Sequence, residues 1–157
     1  MTRVLSFATI GYQAATMAAF LDALRSERIE LVVDVRAVTS SRRPGFAKTS
    51  LAAHLTEAGI DYLHLRGLGT PADGRAAARA GRYDELRAIY GAHLRTIAAV
   101  ADLDVLTDLV RSGRRVCLLC FEAAAAHCHR SLVATALARR LPVRVSHLMP
   151  SGNGGAP

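Results

Sequence analysis

A thiol, an imidazole and a guanidinium stand side by side at Cys128, His129 and Arg130, in the stretch LLCFEAAAAHCHRSL (residues 118–132). This stretch runs from an apolar segment through one acid, Glu122, to the triplet and then into apolar, helix-like sequence. A cysteine at a helix N-terminus lies near unpaired backbone donors and the positive end of the helix dipole, both of which favour a thiolate. We therefore interpret Cys128 as a candidate nucleophile, and Glu122 and His129 as candidate acid/base groups.

The same triplet is also compatible with a purely structural role. Successive residues on a helix point in different directions, so Cys128, His129 and Arg130 cannot all meet one small ligand unless some of them lie in the loop. A buried cysteine, with His129 and Arg130 holding the loop in place, is the alternative.

Strand geometry argues against a metal site built on the cysteines. Cys117 and Cys120 are three residues apart in VCLLC, and residues three apart on a strand face opposite sides, so both cannot bind one ion. Cys120, His127 and Cys128 remain a partial ligand set, whereas a structural zinc site usually has four ligands. We expect no metal and no cofactor, and leave this partial set open.

A second polar cluster follows an apolar run in DVRAVTSSRRPGFAK (residues 34–48). Asp34 and Arg36 are two apart on extended chain and so project to the same face, where they can form one ionic unit. Hydroxyl and cationic side chains follow around a Pro-Gly turn: Ser40, Ser41, Arg42, Arg43 and Lys48. Such donors suit an oxyanion such as phosphate, although a solvated basic loop with a structural Asp–Arg pair is the alternative.

These clusters need a scaffold that brings distant segments together. Short apolar runs alternate with amphipathic stretches along the chain, which predicts an α/β domain with three αβα layers and a mainly parallel sheet of about five strands. The predicted strands are 4–10, 29–35, 60–65, 114–121 and 143–148. The predicted helices are 16–28, a helix capped by Ser50 and ended by Gly59, 82–99, 101–112 and 130–140. Residues 66–81 carry four glycines and one proline and are interpreted as a long functional or mobile loop.

Ligands of open parallel sheets bind beyond the carboxyl ends of the strands. Asp34, Arg36, Tyr62, Glu122 and Arg130 each end or follow a predicted strand, so we expect them to converge in one cleft. The full set of candidate ligand-binding residues is Thr9, Tyr12, Asp34, Arg36, Ser41, Arg42, Tyr62, His64, Cys120 and Arg130. Of these, the arginines at 36, 42 and 130 are expected to bind an anion.

Composition sets the outer limits. The 157 residues, 51% of them hydrophobic, predict one domain over residues 1–149 and a disordered tail over 150–157. No apolar run is long enough to cross a bilayer and no signal peptide is recognisable, so we expect a cytoplasmic protein. The three cysteines, an odd number clustered within twelve residues, favour a reducing compartment. A net charge of +7 and a pI near 10.2 favour phosphate-bearing partners.

Four segments together resemble a known family, the domain of unknown function 488. They are TIGY (9–12), VDVRAVTSSRRPGFAKTSL (33–51), AGIDYLHLRGLG (58–69) and LLCFEAAAAHCHRSLVATAL (118–137), and the resemblance spans residues 5–148. It implies a bacterial or archaeal α/β domain with no settled activity. The family's signature positions correspond here to Thr9, Gly11, Tyr12, Asp34, Arg36, Ser41, Pro44, Phe46, Tyr62, Leu68, Gly69, Cys120, Glu122, Cys128, His129 and Arg130. The chain departs from the family at residues 123–126, where alanines replace proline or bulkier polar residues.

The sequence therefore predicts a strand-end pocket that binds an anionic ligand, either a nucleotide, a nucleic-acid-derived group or another phosphate-bearing molecule. Catalysis by Cys128, His129 and Glu122 is one hypothesis for what the pocket does. A noncatalytic module that binds nucleic acid or a small anion, with Cys128 and His129 as structural residues, is the other. No membrane partner is expected.

Overall fold

The computed structural model describes residues 4–150 and has a five-stranded sheet with helices on both faces. The strands are β1 (Leu5–Gly11), β2 (Leu31–Asp34), β3 (Asp61–His64), β4 (Val116–Cys120) and β5 (Val143–Leu148). The helices are α1 (Met17–Ser26), α2 (Lys48–Glu57), α3 (Ala72–Arg79), α4 (Tyr83–His93), α5 (Ile97–Arg111) and α6 (His129–Ala138). Two short 3-10 turns, Arg66–Leu68 and Ala125–His127, lie between them.

The sheet has the order β3-β2-β4-β1-β5, and every pair of neighbouring strands is parallel. Side chains alternate across β4, so Leu118 and Cys120 pack into one core while Cys117 and Leu119 pack into the other. Helices α1 and α2 cover the core that contains Cys117, and α4, α5 and α6 cover the core that contains Cys120. The predicted three-layer α/β architecture is confirmed.

The chain connections create a crevice at the carboxyl end of β4. This strand lies between β1 and β2, whose connections lead to α1 and α2 on one face of the sheet. The connection from β4 itself leads to α6 on the opposite face. Neighbouring strands whose connections diverge in this way leave a gap at their carboxyl ends, which is where ligands of such folds bind.

Several predicted element boundaries are confirmed by identifiable caps. Thr16 accepts a hydrogen bond from the backbone N of Ala19 (3.0 Å) and so caps α1. Gly59 has a φ of +76° directly after α2, a conformation that glycine adopts without strain. The fifth strand is confirmed at 143–148.

Two details of the predicted helices are wrong. Ser50 does not cap α2, because the helix begins at Lys48 with Ala47 in the capping position, and Leu51 N donates to Ala47 O at 2.8 Å. The break between the next two helices lies near residue 95 rather than 100, because Thr96 caps α5 by accepting from Ala99 N.

The predicted long loop at 66–81 is also wrong, because it contains a 3-10 turn and helix α3. Its glycines allow close packing. A Cβ on Gly69 would lie 2.4 Å from Ala37 Cα, and one on Gly67 would lie 2.6 Å from Ala98 O. The segment therefore packs tightly beside the site.

Within residues 4–150 no helix is both long and apolar enough to span a membrane. Of the predicted tail, residues 151–157 lie outside the part of the chain that the structure describes.

Candidate functional site

Asp34 and Arg36 form a buried ion pair at the carboxyl end of β2. Arg36 Nε donates to Asp34 Oδ1 at 2.9 Å, and Arg36 Nη2 donates to Asp34 Oδ2 at 2.7 Å. Arg36 Nη1 donates to Phe46 O at 2.7 Å and to the Tyr12 hydroxyl at 3.1 Å. Burial alone would lower the pKa of Arg36, but the hydrogen bonds and charge of Asp34 outweigh it and raise that pKa. Arg36 therefore uses its donors within the protein.

Tyr62 and His64, on β3, complete this ionic unit. The Tyr62 hydroxyl donates to Asp34 Oδ2 at 2.5 Å, and burial together with this bond raises the pKa of Tyr62. His64 Nε2 lies 2.8 Å from Arg36 O. Since a carbonyl oxygen only accepts, Nε2 carries the proton. The predicted ionic unit exists, and its carboxylate accepts four hydrogen bonds, from the backbone N, Nε and Nη2 of Arg36 and from the Tyr62 hydroxyl.

Arg130 lies at the start of α6 and its side chain is fully buried. Its Nε donates to Thr9 Oγ1 at 3.1 Å, Nη1 donates to Cys120 Sγ at 3.1 Å and to Glu122 O, and Nη2 donates to Ala123 O at 2.9 Å. Over residues 4–150 it makes no ion pair with a carboxylate. Burial lowers the pKa of Arg130 to about 10. The guanidinium thus fastens the loop after β4 to the strand ends.

Cys120 and Cys128 are joined by a disulfide between the end of β4 and the N-cap of α6. The expectation of reduced cysteines did not anticipate this pairing, which arises because the loop after β4 folds back onto its own strand. Cys117 is a free, buried thiol on the opposite face of the sheet. The prediction that Cys117 and Cys120 face opposite sides is confirmed.

His129 is buried beside the disulfide. Its Nε2 lies 2.7 Å from Val35 O, and its Nδ1 lies 3.6 Å from Cys128 Sγ. Burial lowers the pKa of His129 to about 4, against a smaller raising effect of the Val35 bond. The ring is therefore neutral near pH 7. Its Nε2 carries the proton and donates it to Val35 O, and its Nδ1 carries a lone pair.

A cleft of about 710 Å³ opens at this edge of the sheet, and we call it the strand-end cleft. Polar and charged lining residues are Arg36, Ser40, Ser41, Arg42, Arg43, Thr70, Arg75, Arg79, Glu122, His127 and His129; the others are Tyr12, Ala37, Val38, Ala78, Leu86, Cys120, Phe121 and Cys128. The cleft thus combines several guanidinium groups with an apolar and aromatic wall.

Four arginines of the cleft retain free donors. Arg42 and Arg79 are exposed, and their side chains make no hydrogen bond or ion pair with any residue of the described range. Arg75 donates one hydrogen bond, from Nη1 to Thr70 O at 2.8 Å. Arg43 donates from Nη2 to Ala15 O, but its buried Nε has no hydrogen-bond partner in the part of the chain described. These groups could bind an anion without breaking the core.

Sequence reasoning missed Arg75 and Arg79 because it treated residues 66–81 as a loop. The signal was present in GRAAARAG, where alanines favour a helix and arginines four apart share one face. Helix α3 presents both to the cleft.

Glu122 is the carboxylate among the lining residues of the cleft. It is half-buried, and desolvation raises its pKa despite the opposing charges of His127 and Arg130. A carboxyl group with a raised pKa is a candidate proton donor or acceptor.

The predicted site residues fall into two groups. Those that line the cleft are Tyr12, Arg36, Ser41, Arg42, Cys120, Glu122, Cys128 and His129. Those that lie behind it are Asp34, His64 and Arg130, which bond to residues that line it, and Tyr62, which bonds to Asp34. Thr9 bonds to Arg130 and, at 2.6 Å, to His147 Nδ1. The structure thus brings all of them to one edge of the sheet.

No curated protein and no solved structure gives a significant match to the chain. One family model matches, over residues 16–137, and it is described as a domain of unknown function, DUF488. That range contains the ion pair of β2, both bonded cysteines and the buried Arg130, whereas Thr9, Gly11 and Tyr12 lie before it. The match covers most of the chain, so the protein belongs to the DUF488 family.

Proposed function

We propose that the strand-end cleft binds a phosphate-bearing small molecule, with a nucleotide as the favoured class. The observation that carries this proposal is the set of guanidinium donors left free in the cleft, on Arg42, Arg43, Arg75 and Arg79. Guanidinium groups bind phosphate oxygens through paired hydrogen bonds.

Charge balance supports an anion. Asp34 neutralises Arg36, and the remaining lining carboxylate, Glu122, has a raised pKa. The four arginines therefore leave an excess of positive charge at the cleft, which attracts anions and increases their local concentration.

The apolar wall supports a ligand with a ring as well as a phosphate. Phe121 is 40% exposed and packs edge-on against Tyr12, with 5.4 Å between ring centroids. Val38 and Leu86 extend this wall. Clefts that combine such walls with a few polar groups are typical of small-molecule sites.

The roles of the arginines differ from those expected at first. Arg36 and Arg130 direct their donors to protein acceptors, so we assign them to holding the cleft in shape. Direct anion contact is assigned to Arg42, Arg43, Arg75 and Arg79.

Thermal unfolding with inorganic pyrophosphate and with ADP tests this proposal. We expect both to raise the Tm of the wild-type protein, because a ligand that binds only the folded state stabilises it. ADP should do so at lower concentration, since its ring can contact Phe121. The variant Arg75→Ala/Arg79→Ala should lose most of the effect while its own Tm changes little.

Arg139→Ala is the matched control, because Arg139 is exposed at the end of α6 and does not line the cleft. Equal loss in Arg139→Ala and in the double variant would show nonspecific screening and overturn the proposal. A Tm unaffected by either ligand would also overturn it. A response to single-stranded oligonucleotides alone would assign the cleft to a nucleic acid instead.

A second candidate function is thiol catalysis in the reduced protein, in which the Cys128 thiolate attacks an electrophilic centre of the bound ligand and forms a bond to it, while the bond to the leaving group breaks and that group takes a proton from Glu122. It is favoured by the position of Cys128, which lines the cleft and accepts from Arg130 N at 3.5 Å as the N-cap of α6. The reduced protein would then be alkylated rapidly at Cys128 near neutral pH. Cys117 serves as the internal control, because burial raises the pKa of its thiol. If Cys128 and Cys117 are alkylated equally, and only when the protein unfolds, thiol catalysis is ruled out and the noncatalytic binding module is supported.

A further inference from the structure

Cys120, Cys128 and His129 form a compact buried cluster at the floor of the strand-end cleft. Their three potential ligand atoms, two Sγ and one ring nitrogen, lie within 4.8 Å of one another. We propose that in the reduced protein these residues bind one divalent zinc-class ion through two thiolates and His129 Nδ1. The ion would have the Cys2His ligand set, in which soft sulfur and imidazole ligands favour zinc.

The hydrogen bond of His129 supports this proposal independently of the sulfur positions. Its Nε2 lies 2.7 Å from Val35 O, so the proton is on Nε2 and the lone pair is on Nδ1. That lone pair lies on the side of Cys128 Sγ, at 3.6 Å. Metal-bound histidines commonly donate their second ring nitrogen to a backbone carbonyl or carboxylate in this way, because the bond orients the ring.

The surrounding donors suit two thiolates. Arg130 Nη1 donates to Cys120 Sγ at 3.1 Å, and the backbone N of Arg130 donates to Cys128 Sγ at 3.5 Å. The buried guanidinium of Arg130 makes no carboxylate ion pair over residues 4–150, and its Nη1 donor would make a charge-assisted hydrogen bond to the Cys120 thiolate. Two thiolates and a divalent ion are together neutral, so the site adds no net charge to the interior.

His129, and not His127, is the third ligand. His127 is exposed, and its ring stacks on Tyr83 with 4.2 Å between centroids and an angle of 2°. In the described part of the chain, the potential metal ligands whose donor atoms lie within 4.8 Å of one another include His129 and do not include His127.

The position of the cluster indicates what the ion would do. Cys120, Cys128 and His129 all line the strand-end cleft, so a fourth coordination position would face it. Zinc sites with three protein ligands and one open position are typical of catalysis, whereas closed sites are structural. This inference goes beyond the anion proposal and stands without it. It is an alternative to free-thiol attack by Cys128, because a metal-bound sulfur is not a free nucleophile.

Metal binding requires reduction of the disulfide, and the step balances with a dithiol reductant. The Cys120–Cys128 bond accepts two electrons and two protons and becomes two thiols, while the reductant closes its own disulfide. The ion then displaces two protons as both thiols become ligands. Metal affinity should therefore depend on the redox state of the protein.

Titration of the reduced full-length protein with cobalt(II) tests the proposal. We expect one ion per chain and a sulfur-to-cobalt charge-transfer band in the near ultraviolet, which zinc removes by displacement. Cys120→Ala, Cys128→Ala and His129→Asn should each weaken cobalt binding by at least about 100-fold, since loss of an outer partner already costs 10–100-fold. The disulfide form should bind no cobalt. Circular dichroism of each variant establishes whether it is folded. If His129→Asn does not fold, the cobalt affinities of the two cysteine variants test the proposal.

Two controls separate this site from other thiols and imidazoles. Cys117→Ala removes the thiol on the opposite face of β4, and His127→Ala removes the neighbouring imidazole, so both should bind cobalt like the wild type. The proposal is overturned if the reduced protein binds no cobalt, if the band is absent, or if Cys117→Ala or His127→Ala weakens binding as much as the cluster variants do.

Discussion

Two buried arginines lie at the same edge of the sheet, Arg36 lining the strand-end cleft and Arg130 behind it, and their surroundings are opposite. Arg36 forms a two-bond ion pair with Asp34, which also accepts from Tyr62. Arg130 is more deeply buried, with 0% exposure against 5% for Arg36, yet it bonds to a hydroxyl, a sulfur and two carbonyls. The pKa of Arg36 is raised, and that of Arg130 is lowered to about 10.

The difference shows that two guanidinium groups at the same edge of the sheet have different roles. The charge of Arg36 is cancelled locally, so its unit is a closed structural element at the end of β2. Arg130 makes no ion pair with a carboxylate in the described chain, and the sulfur that it contacts, Cys120 Sγ at 3.1 Å, can carry negative charge only after the disulfide is reduced. The region around Arg130 is therefore the one in which chemistry is expected.

Removal of the carboxylate from the closed unit should have the largest effect on stability. Asp34→Ala leaves the Arg36 charge buried without a partner and the Tyr62 hydroxyl without its acceptor, so we expect a loss of about 3–5 kcal/mol in the free energy of unfolding. Denaturant unfolding measures it. Asp61→Ala is the control, because its exposed pair with Arg114 should contribute about 0–1 kcal/mol. Similar losses in both variants would contradict the structural role of the Asp34 pair.

Removal of the unpaired arginine should cost less than removal of Asp34. Arg130→Met leaves the carbonyls of Glu122 and Ala123 without their donor, but it also removes a buried charge that has no counterion, so we expect a loss of about 1–3 kcal/mol. Hydrogen exchange should become faster in residues 121–127, which Arg130 fastens to the strands. A loss equal to that of Asp34→Ala would mean that the charge of Arg130 is compensated after all.

Removal of one hydroxyl from the closed unit should have the smallest effect. Tyr62→Phe deletes the bond to Asp34 Oδ2 but leaves the three Arg36 bonds, so we expect a loss of about 1.5 kcal/mol, as for a hydrogen bond to a charged acceptor. Thermal and denaturant unfolding compare it with Tyr83→Phe, whose hydroxyl makes no hydrogen bond to any residue that the structure describes. No difference between the two variants would show that the Tyr62 hydroxyl contributes nothing to the stability of the Asp34 carboxylate.

Sequence reasoning predicted the fold well where one strong periodic signal dominated. The apolar runs that became β1, β2 and β4 are buried on both faces, so their composition alone marks them as central strands. The Ser50 cap and the loop at 66–81 were wrong for different reasons. Helix α2 begins two residues before Ser50, at Lys48, without a side-chain cap. In 66–81 the glycines serve close packing, such as that of Gly69 against Ala37, and the local helix signal of GRAAARAG was overlooked.

The candidate site was predicted in part. The sequence by itself determined which polar residues lie at the carboxyl ends of the strands, because strand direction and side-chain alternation follow from local pattern. It also predicted that Asp34 and Arg36, two apart on extended chain, project to the same face and can form one ionic unit, and the structure shows that they do.

Only the tertiary structure decided which arginines face protein and which face the cleft. Arg130 turns inward because the loop after β4 folds back over it, whereas Arg75 and Arg79 reach the cleft because α3 packs beside it. The same folding back brings Cys128 and His129 to Cys120 across eight residues of chain. Such contacts depend on the path of the connections in space, and a local sequence pattern carries no record of that path.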